Sequence, residues 1–584
     1  MMANTDYLRK GAMMERYNLL DEKWISVLTD NGEKLVSLTE LFEQAHDLIG
    51  LAGDMKMQDF AVMRILLAVL HTVFSRYRPD GTTYEYFEVD PSTMQQVTDI
   101  DEDDVADYKA DLCDTWFDLW NEGRFPDLIR QYLEAWRERF FLFADKDAFM
   151  QVSRDQIDEG ARGGSEIWGK NINRLISQSN NKAALFSPKH DIDKNRERLS
   201  YAALARWMIT FHGYCGTGDK RKVNETTLTC SKGWLYDLGG TYLEGSNLFE
   251  TLMINCALAF DEMGNLLHRQ IPSWERTSEE NIQLYFSAGM NNLASLYTAW
   301  GRAIYFDPDY QEGTPFSCFV GKLPEINHAN EFLEPMTCWS YSKSGPNKDK
   351  YTPRKHREGQ SMWRNFGTVM GIESGESGGA QHKAGILKWF NEIHEKAENN
   401  ELEIAKEKIK VCAVSVQDDG NATSWAPVDE IYDEMRFEEM ILLDTDVNGW
   451  LVRINKTVEW TKTVISMVLR PLLRDLAEIR GMDVSKADVP LIIRETEQFY
   501  YQIDGPFRNW LDGISSSDSK EEKVQAWKTD LKVLLMRFGD DLLRGGSSRD
   551  YRGIVYEEGN TSARVKNNAT VYHSFMRSLN KQFS

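Results

Sequence analysis

The sequence is short of the patterns that mark the commonest functional classes. No GxxxxGK[ST] loop occurs, which argues against a P-loop nucleotide site. His394-Glu395-Lys396-Ala397-Glu398 begins like a zinc-protease helix but lacks the second histidine. The seven cysteines, at 113, 215, 230, 256, 318, 338 and 412, form no C-x-x-C pair, so neither a zinc site nor a disulfide framework is expected. No uninterrupted apolar run reaches the roughly 18 residues of a membrane span. The opening MMANTDYLRKGAMMERY has no apolar stretch of the signal-peptide kind. Together these predict a cytoplasmic protein without membrane, metal or cofactor. Positive charge is scarce too: 68 Lys+Arg face 91 Asp+Glu, for a net −23. Such a total disfavours coating nucleic acid over the whole surface, yet leaves room for local basic strips.

What is present is an ordinary folded composition, 42% hydrophobic and 27% charged, long enough for two to four domains. Near the start, Leu19–Val27 reads as a strand, Asp30-Asn31-Gly32 as a hairpin turn and Ser37-x-x-Glu40 as a capping box. Gln58 to Phe74 is helical and apolar nearly all round, hence buried. The acidic run at 99–107 reads as a solvated loop, 116–140 as helical and 154–170 as a Gly-rich loop. Helical periodicity returns at 200–211 and 291–304. Glu373–Ala380 (ESGESGGA) is a flexible connection, and Val411–Val416 a short strand. Four amphipathic segments at 447–480, 487–513, 519–543 and 561–582 predict a helical bundle, with kinks at Pro471 and Gly505-Pro506. The fold class expected is α+β: a large mixed N-terminal domain over 1–444 and a C-terminal four-helix bundle over 445–584.

The basic residues are segregated. Trp339 to Phe366 carries a local +5, with Trp339, Tyr341, Tyr351 and Trp363 interleaved, a composition suited to phosphate contact with stacking. Residues 520–584 sum to +4, which leaves −27 for the rest. Gly213-Tyr214-Cys215-Gly216-Thr217-Gly218 is a glycine-rich turn before three bases, able to present backbone N–H groups to a phosphate. His190-Asp191-Ile192-Asp193 offers a competing reading as the centre of a metal-dependent phosphohydrolase, but nothing at recognisable spacing completes the ligand set.

In this order the pieces resemble the CasA family, the large subunit of the type I-E CRISPR Cascade complex. The resemblance rests on Asn18-Leu19-Leu20-Asp21-Glu22-Lys23-Trp24-Ile25, Val36-Ser37-Leu38 and Asp59-Phe60-Ala61-Val62 with Arg64. It continues through Leu119-Trp120, Gly123, Phe125, Tyr132-Leu133, Trp136, Arg139-Phe140 and Phe149-Met150-Gln151. Further blocks are Leu185-Phe186, Ala203-Leu204-Ala205-Arg206-Trp207, Pro272-Ser273-Trp274-Glu275, Leu296-Tyr297-Thr298 with Arg302, Glu334-Pro335-Met336 and Met362-Trp363-Arg364. It implies a binding protein rather than an enzyme, with no catalytic residue. Implied partners are the Cascade backbone and small subunits, the 5′ end of the guide RNA, target double-stranded DNA and a helicase-nuclease.

The resemblance also implies sites. The family's glycine loop, which approaches the minor groove at the protospacer-adjacent motif, is similar to Gly213, Gly216 and Gly218. Its strand-separating wedge corresponds to Asn421, flanked by Gly420 and Ala422. Its loop near the guide RNA corresponds to Lys182–Arg198, with Leu185 or Phe186 as the apolar contact. Its phosphate-contacting lysine corresponds to Lys343. The cysteine-rich zinc motif of some members is absent.

Overall fold

The run from Gln58 to Phe74 offers almost no polar face, and the chain buries it whole. In the computed structural model it forms the helix Lys56–Phe74, out of solvent from Met57 onward. By length and composition this helix could cross a membrane, but its apolar window lies entirely inside the protein. It packs on the helices Tyr201–Tyr214 and Leu293–Tyr297, and on Leu128–Ala135 and Leu248–Asn255. The structure describes residues 16–161, 165–169, 198–216, 221–223, 226–230, 232–287, 289–357, 359–372, 381–399, 404, 408–418, 420, 427–486, 488–556 and 564–584.

The predicted hairpin forms as strands Ile25–Thr29 and Gly32–Val36, closed by Thr29 opposite Gly32. Ser37 and Glu40 complete their capping box, both bonds 3.1 Å. Several expectations change. The strand expected over Leu19–Val27 begins only at Ile25. The helical region expected over 116–140 is two helices, Val105–Glu122 and Leu128–Ala135, parted at Gly123, whose φ of +67 ends the first. The segment 561–582 holds a strand, Arg564–Lys566, before its helix. The acidic run at 99–107 is not all loop: it leads through Glu102–Asp104 into the helix Val105–Glu122, where carboxylates complement the N-terminal end of the helix dipole. Residues 154–170 contain a helix, Arg154–Ala161, and a strand, Ser165–Trp168. The segment 291–304 is helical only over Leu293–Tyr297; after Gly301 it becomes the strand Arg302–Phe306, paired antiparallel with Ser317–Lys322. Nearly every side chain there is buried, so apolar spacing could not separate a period of 3.6 from one of 2.

The chain divides into two compact units: 1–358 with 375–406 and 411–434, and 359–374 with 407–410 and 435–584. Two small sheets carry the site discussed below, the one wholly and the other mainly in the first unit. One has Trp339–Tyr341 between Tyr351–Pro353 and Gln381–His382. The other has Ile409–Asp418 between Gly240–Glu244 and Pro427–Phe437.

The second unit is built on four helices, so the fold is α+β with a C-terminal bundle. The first runs through Trp450–Val464, a π-turn at Ile465–Leu469 and Arg470–Ile479. The π-turn ends two residues before Pro471, which has no N–H to continue the ladder. The others are Pro490–Asp512, which keeps Pro506 inside it, Lys520–Arg544 and Asn568–Gln582. The first packs on the second and fourth, and the third packs on all the others. Phe499, Ile503, Phe507, Leu531, Leu535, Phe575 and Leu579 fill the interior. ESGESGGA lies outside the described residues.

Candidate nucleic-acid interface

The basic-aromatic stretch 339–366 resolves into two kinds of residue. Trp339 and Trp363 are buried, with exposures of 1% and 0%, so neither ring can receive a base. Trp363 stacks on Phe507 at 4.2 Å and donates its Nε1–H to Asp504 at 2.8 Å. Arg364 is committed to Glu497, with bonds of 2.7 and 3.2 Å, and lies 3.6 Å over the Tyr500 ring. Lys343, Lys348 and Lys350 differ: they stand exposed on the turn joining Trp339–Tyr341 to Tyr351–Pro353. Among the described residues they form no ion pair or hydrogen bond through their ammonium groups. The turn bends through Gly345 and Asp349, both at positive φ, and the Asp349 carboxylate is occupied by the Tyr341 hydroxyl at 3.1 Å. Three uncommitted ammonium groups on one turn can meet adjacent phosphates.

The glycine turn is anchored at its root. Gly213 lies in the last turn of the Tyr201–Tyr214 helix and is buried against Leu235, where an added Cβ would come within 2.7 Å. A Cβ on Gly301 would meet the His212 carbonyl oxygen at 2.3 Å and Cys215 Sγ at 2.6 Å. This close approach is why glycine stands there. The Gly233 N–H donates to the Cys215 carbonyl at 3.0 Å. The buried Arg302 guanidinium donates to the carbonyls of Gly301 and Gly216. Gly216 is half-buried; Gly218 lies outside the described residues.

The strands Ile409–Asp418 and Pro427–Phe437 flank residues 419–426, the stretch that contains the wedge position implied by the family resemblance. Gly420 is exposed at φ +66 and donates its N–H to Asp418 Oδ1 at 3.0 Å. Asn421 and Ala422 lie outside the described residues, as do Leu185, Phe186, His190 and Asp191.

Sequence spacing gave no sign of two other features. Glu244, Cys412 and Glu434, from three neighbouring strands, bring one donor atom each within 4.8 Å of the others. Tyr242 and Tyr432 hydroxyls already donate to the two carboxylates, at 3.3 and 2.7 Å. A cleft of about 950 Å³ is lined by Asp80, Asp118 and Glu122 among others. Burial, then Asp114, Asp80 and Glu122, hold the Asp118 carboxyl above its usual range. Arg78, Arg124 and Arg130 line the same cleft, so it offers no single-sign field to a phosphate.

A mixed α+β unit with a C-terminal helical bundle is a fold this chain shares with solved Cse1 structures. Thermobifida fusca Cse1 matches with a TM-score of 0.75 at 23% identity, over 97% of this chain and 98% of that one. A chain of a structure described as a CRISPR RNA-guided surveillance complex matches with a TM-score of 0.61 at 14% identity, over 97% and 99%. The CRISPR-associated protein CasA/Cse1 of Thermus thermophilus is 28% identical over 244 residues, 41% of this chain and 40% of that protein. The aligned part thus spans less than half of that relative. The sequence profile described as CRISPR-associated protein Cse1 matches residues 18–538, and the chain belongs to that family.

Proposed function

We propose that the chain is the large subunit of an RNA-guided CRISPR surveillance complex. It joins the complex's backbone and small subunits near the 5′ end of the guide RNA. There it recognises a protospacer-adjacent motif in target double-stranded DNA and starts strand separation. It also offers the docking surface for a helicase-nuclease, and it acts by binding rather than by catalysis.

The observation that carries the DNA reading is the turn with Lys343, Lys348 and Lys350 exposed and uncommitted on a chain of net −23. A protein so acidic holds duplex only where such a strip aligns, and releases sites that lack the motif. The guide supplies sequence specificity by base pairing, so the protein need read only a short signal. Minor-groove reading through a glycine turn is degenerate, and replacing lost stacking at the first step costs a few kcal/mol.

Reconstitution tests this reading. The chain is mixed with a core lacking its large subunit, and target binding is measured across a panel of flanking motifs. Motif-dependent binding restored by the chain is the expected result; no association, or no motif dependence, refutes it. Gly216→Asp and Asn421→Ala then test the two sites, and unchanged R-loop formation by both would remove them.

A further inference from the structure

We infer that Asn330 is the positioning residue of the lysine turn between Trp339–Tyr341 and Tyr351–Pro353. This rests on reading that turn as the contact with duplex.

The turn is longer than the pairing that carries it. Its two strands have three residues each, and Tyr341 stands opposite Tyr351 at the neck. Just beyond, Ser342 N–H donates to the Lys350 carbonyl and Asp349 N–H to the Ser342 carbonyl, both at 2.8 Å. Trp339–Tyr341 is the middle strand of its sheet, so Tyr351–Pro353 lies at an edge. A strand so short, paired on one side, is weakly held by its ladder alone.

Asn330 covers that edge. Its N–H donates to the Tyr351 carbonyl at 2.9 Å, and its Oδ1 accepts the Tyr351 N–H at 2.7 Å. One residue thus takes both backbone groups of Tyr351. To do so Asn330 adopts φ +61, the left-handed region that asparagine enters more readily than most residues. Phe332, two residues on, ties it to the sheet: its N–H donates to the Asn330 carbonyl at 3.0 Å. The Phe332 ring stacks on His382 at 4.6 Å and meets Trp339 at 5.2 Å and Tyr351 at 5.6 Å. The contacts therefore run from buried Trp339 through Phe332 and Asn330 to Tyr351, the residue beside Lys350.

This fixes the root of the turn, and the two bonds at the neck pass the constraint to Lys343 and Lys348. Lysine side chains lose freedom on meeting phosphates, and a turn free to swing would lose more and bind more weakly. Asn330 acts through the lysines by removing that second loss.

Two substitutions isolate the side-chain bond. Asn330→Gly keeps the backbone conformation and the N–H but withdraws Oδ1; Asn330→Asp keeps an acceptor oxygen and tolerates the same φ. Hydrogen exchange across residues 342–353 is followed by mass spectrometry in the full chain. In Asn330→Gly it should run about fivefold faster there and at the parent rate elsewhere, and Asn330→Asp should restore slow exchange. Capture of motif-bearing duplex by the assembled complex is measured by filter binding for Asn330→Gly, for Lys343→Ala/Lys348→Ala/Lys350→Ala and for all four changes together. Asn330→Gly should weaken capture about fivefold, and add nothing once the lysines are gone. Parent-like exchange or capture in Asn330→Gly, beside weakened capture in the triple variant, overturns the role of Asn330 and leaves the turn as the duplex contact. Fast exchange in Asn330→Asp overturns it too, because the acceptor would not be what holds Tyr351. So does an undiminished loss on the triple-variant background, or faster exchange throughout the chain, either of which would make the residue merely structural. Parent-like capture by the triple variant refutes the reading of the turn itself.

Discussion

Arg64 and Glu334, 270 positions apart in the chain, meet fork to fork: Nη1 to Oε1 and Nη2 to Oε2 are both 2.8 Å. Both side chains are dry, at 2% and 0% exposure. Trp234 Nε1–H at 2.7 Å and the Met336 N–H at 3.0 Å take up the remaining carboxylate capacity, and the Tyr297 ring lies 4.3 Å from the guanidinium. Burial alone would raise the Glu334 carboxyl; the charge and hydrogen bonds of Arg64, with Trp234 and Met336, more than offset it and leave it below its ordinary value.

Glu334→Gln keeps the shape but leaves a buried guanidinium without its counter-charge. Breaking such a pair from one side costs about 3–5 kcal/mol. Urea unfolding of the isolated chain should show that loss at neutral pH. A loss below about 1 kcal/mol would mean that water or another acceptor reaches Arg64.

This pair shows how far the sequence was legible. Arg64, Glu275, Tyr132, Trp274, Glu334 and Arg302 all stand in the blocks that carry the family resemblance, but nothing in their spacing foretold the contacts they make. Glu275 receives Arg76 at 2.7 and 2.8 Å and the Tyr132 hydroxyl at 2.6 Å, and Tyr132 in turn accepts from Trp274 Nε1 at 2.8 Å. The hairpin, the capping box and the bundle were legible because each has a local signature. Aromatic facing has none, so Trp339 and Trp363 counted as stacking surface although both are core. The Lys355–Asp418 pair joins residues 63 positions apart, with no spacing to betray it.

Acid should destabilise the chain through its histidines. Burial holds His212, His356 and His394 down to about 4, and His71 to about 3, from an ordinary 6.5. A folded pKa below the unfolded one means the unfolded chain binds more protons between the two values. Stability from this source is therefore complete above pH 6.5 and falls as pH drops toward 4. Between pH 7 and 5 each of the first three should cost roughly 2 kcal/mol. His356→Gln, which can still donate to the Gly240 carbonyl that His356 Nε2 meets at 3.1 Å, should flatten the pH dependence of the urea midpoint. An unaltered slope would show that His356 titrates normally.

Lys343, Lys348 and Lys350 are exposed and, among the described residues, carry no fold contact through their charges, so replacing all three by alanine should leave thermal stability within about 0.5 kcal/mol of the parent per site. In the assembled complex the same variant should bind duplex more weakly, and less so as salt rises. For every phosphate that a lysine no longer neutralises, the slope of log K against log salt falls by about 0.9. A salt titration giving the parent slope would remove the turn from the interface.

The Trp363 indole ties its segment to the bundle by a stack and by a hydrogen bond, and two substitutions separate them. Trp363→Phe keeps a ring against Phe507 but withdraws the donor from Asp504, whose other oxygen accepts from Arg508 Nε at 2.7 Å. A hydrogen bond to a charged acceptor contributes about 1.5–3 kcal/mol, and because Arg508 still serves Asp504 the loss should fall near the lower figure. Trp363→Ala empties the site as well and should cost about 3–5 kcal/mol. Chemical unfolding of both variants decides the matter: equal losses would assign the whole contribution to the indole N–H, and a negligible loss in Trp363→Phe would assign it to packing.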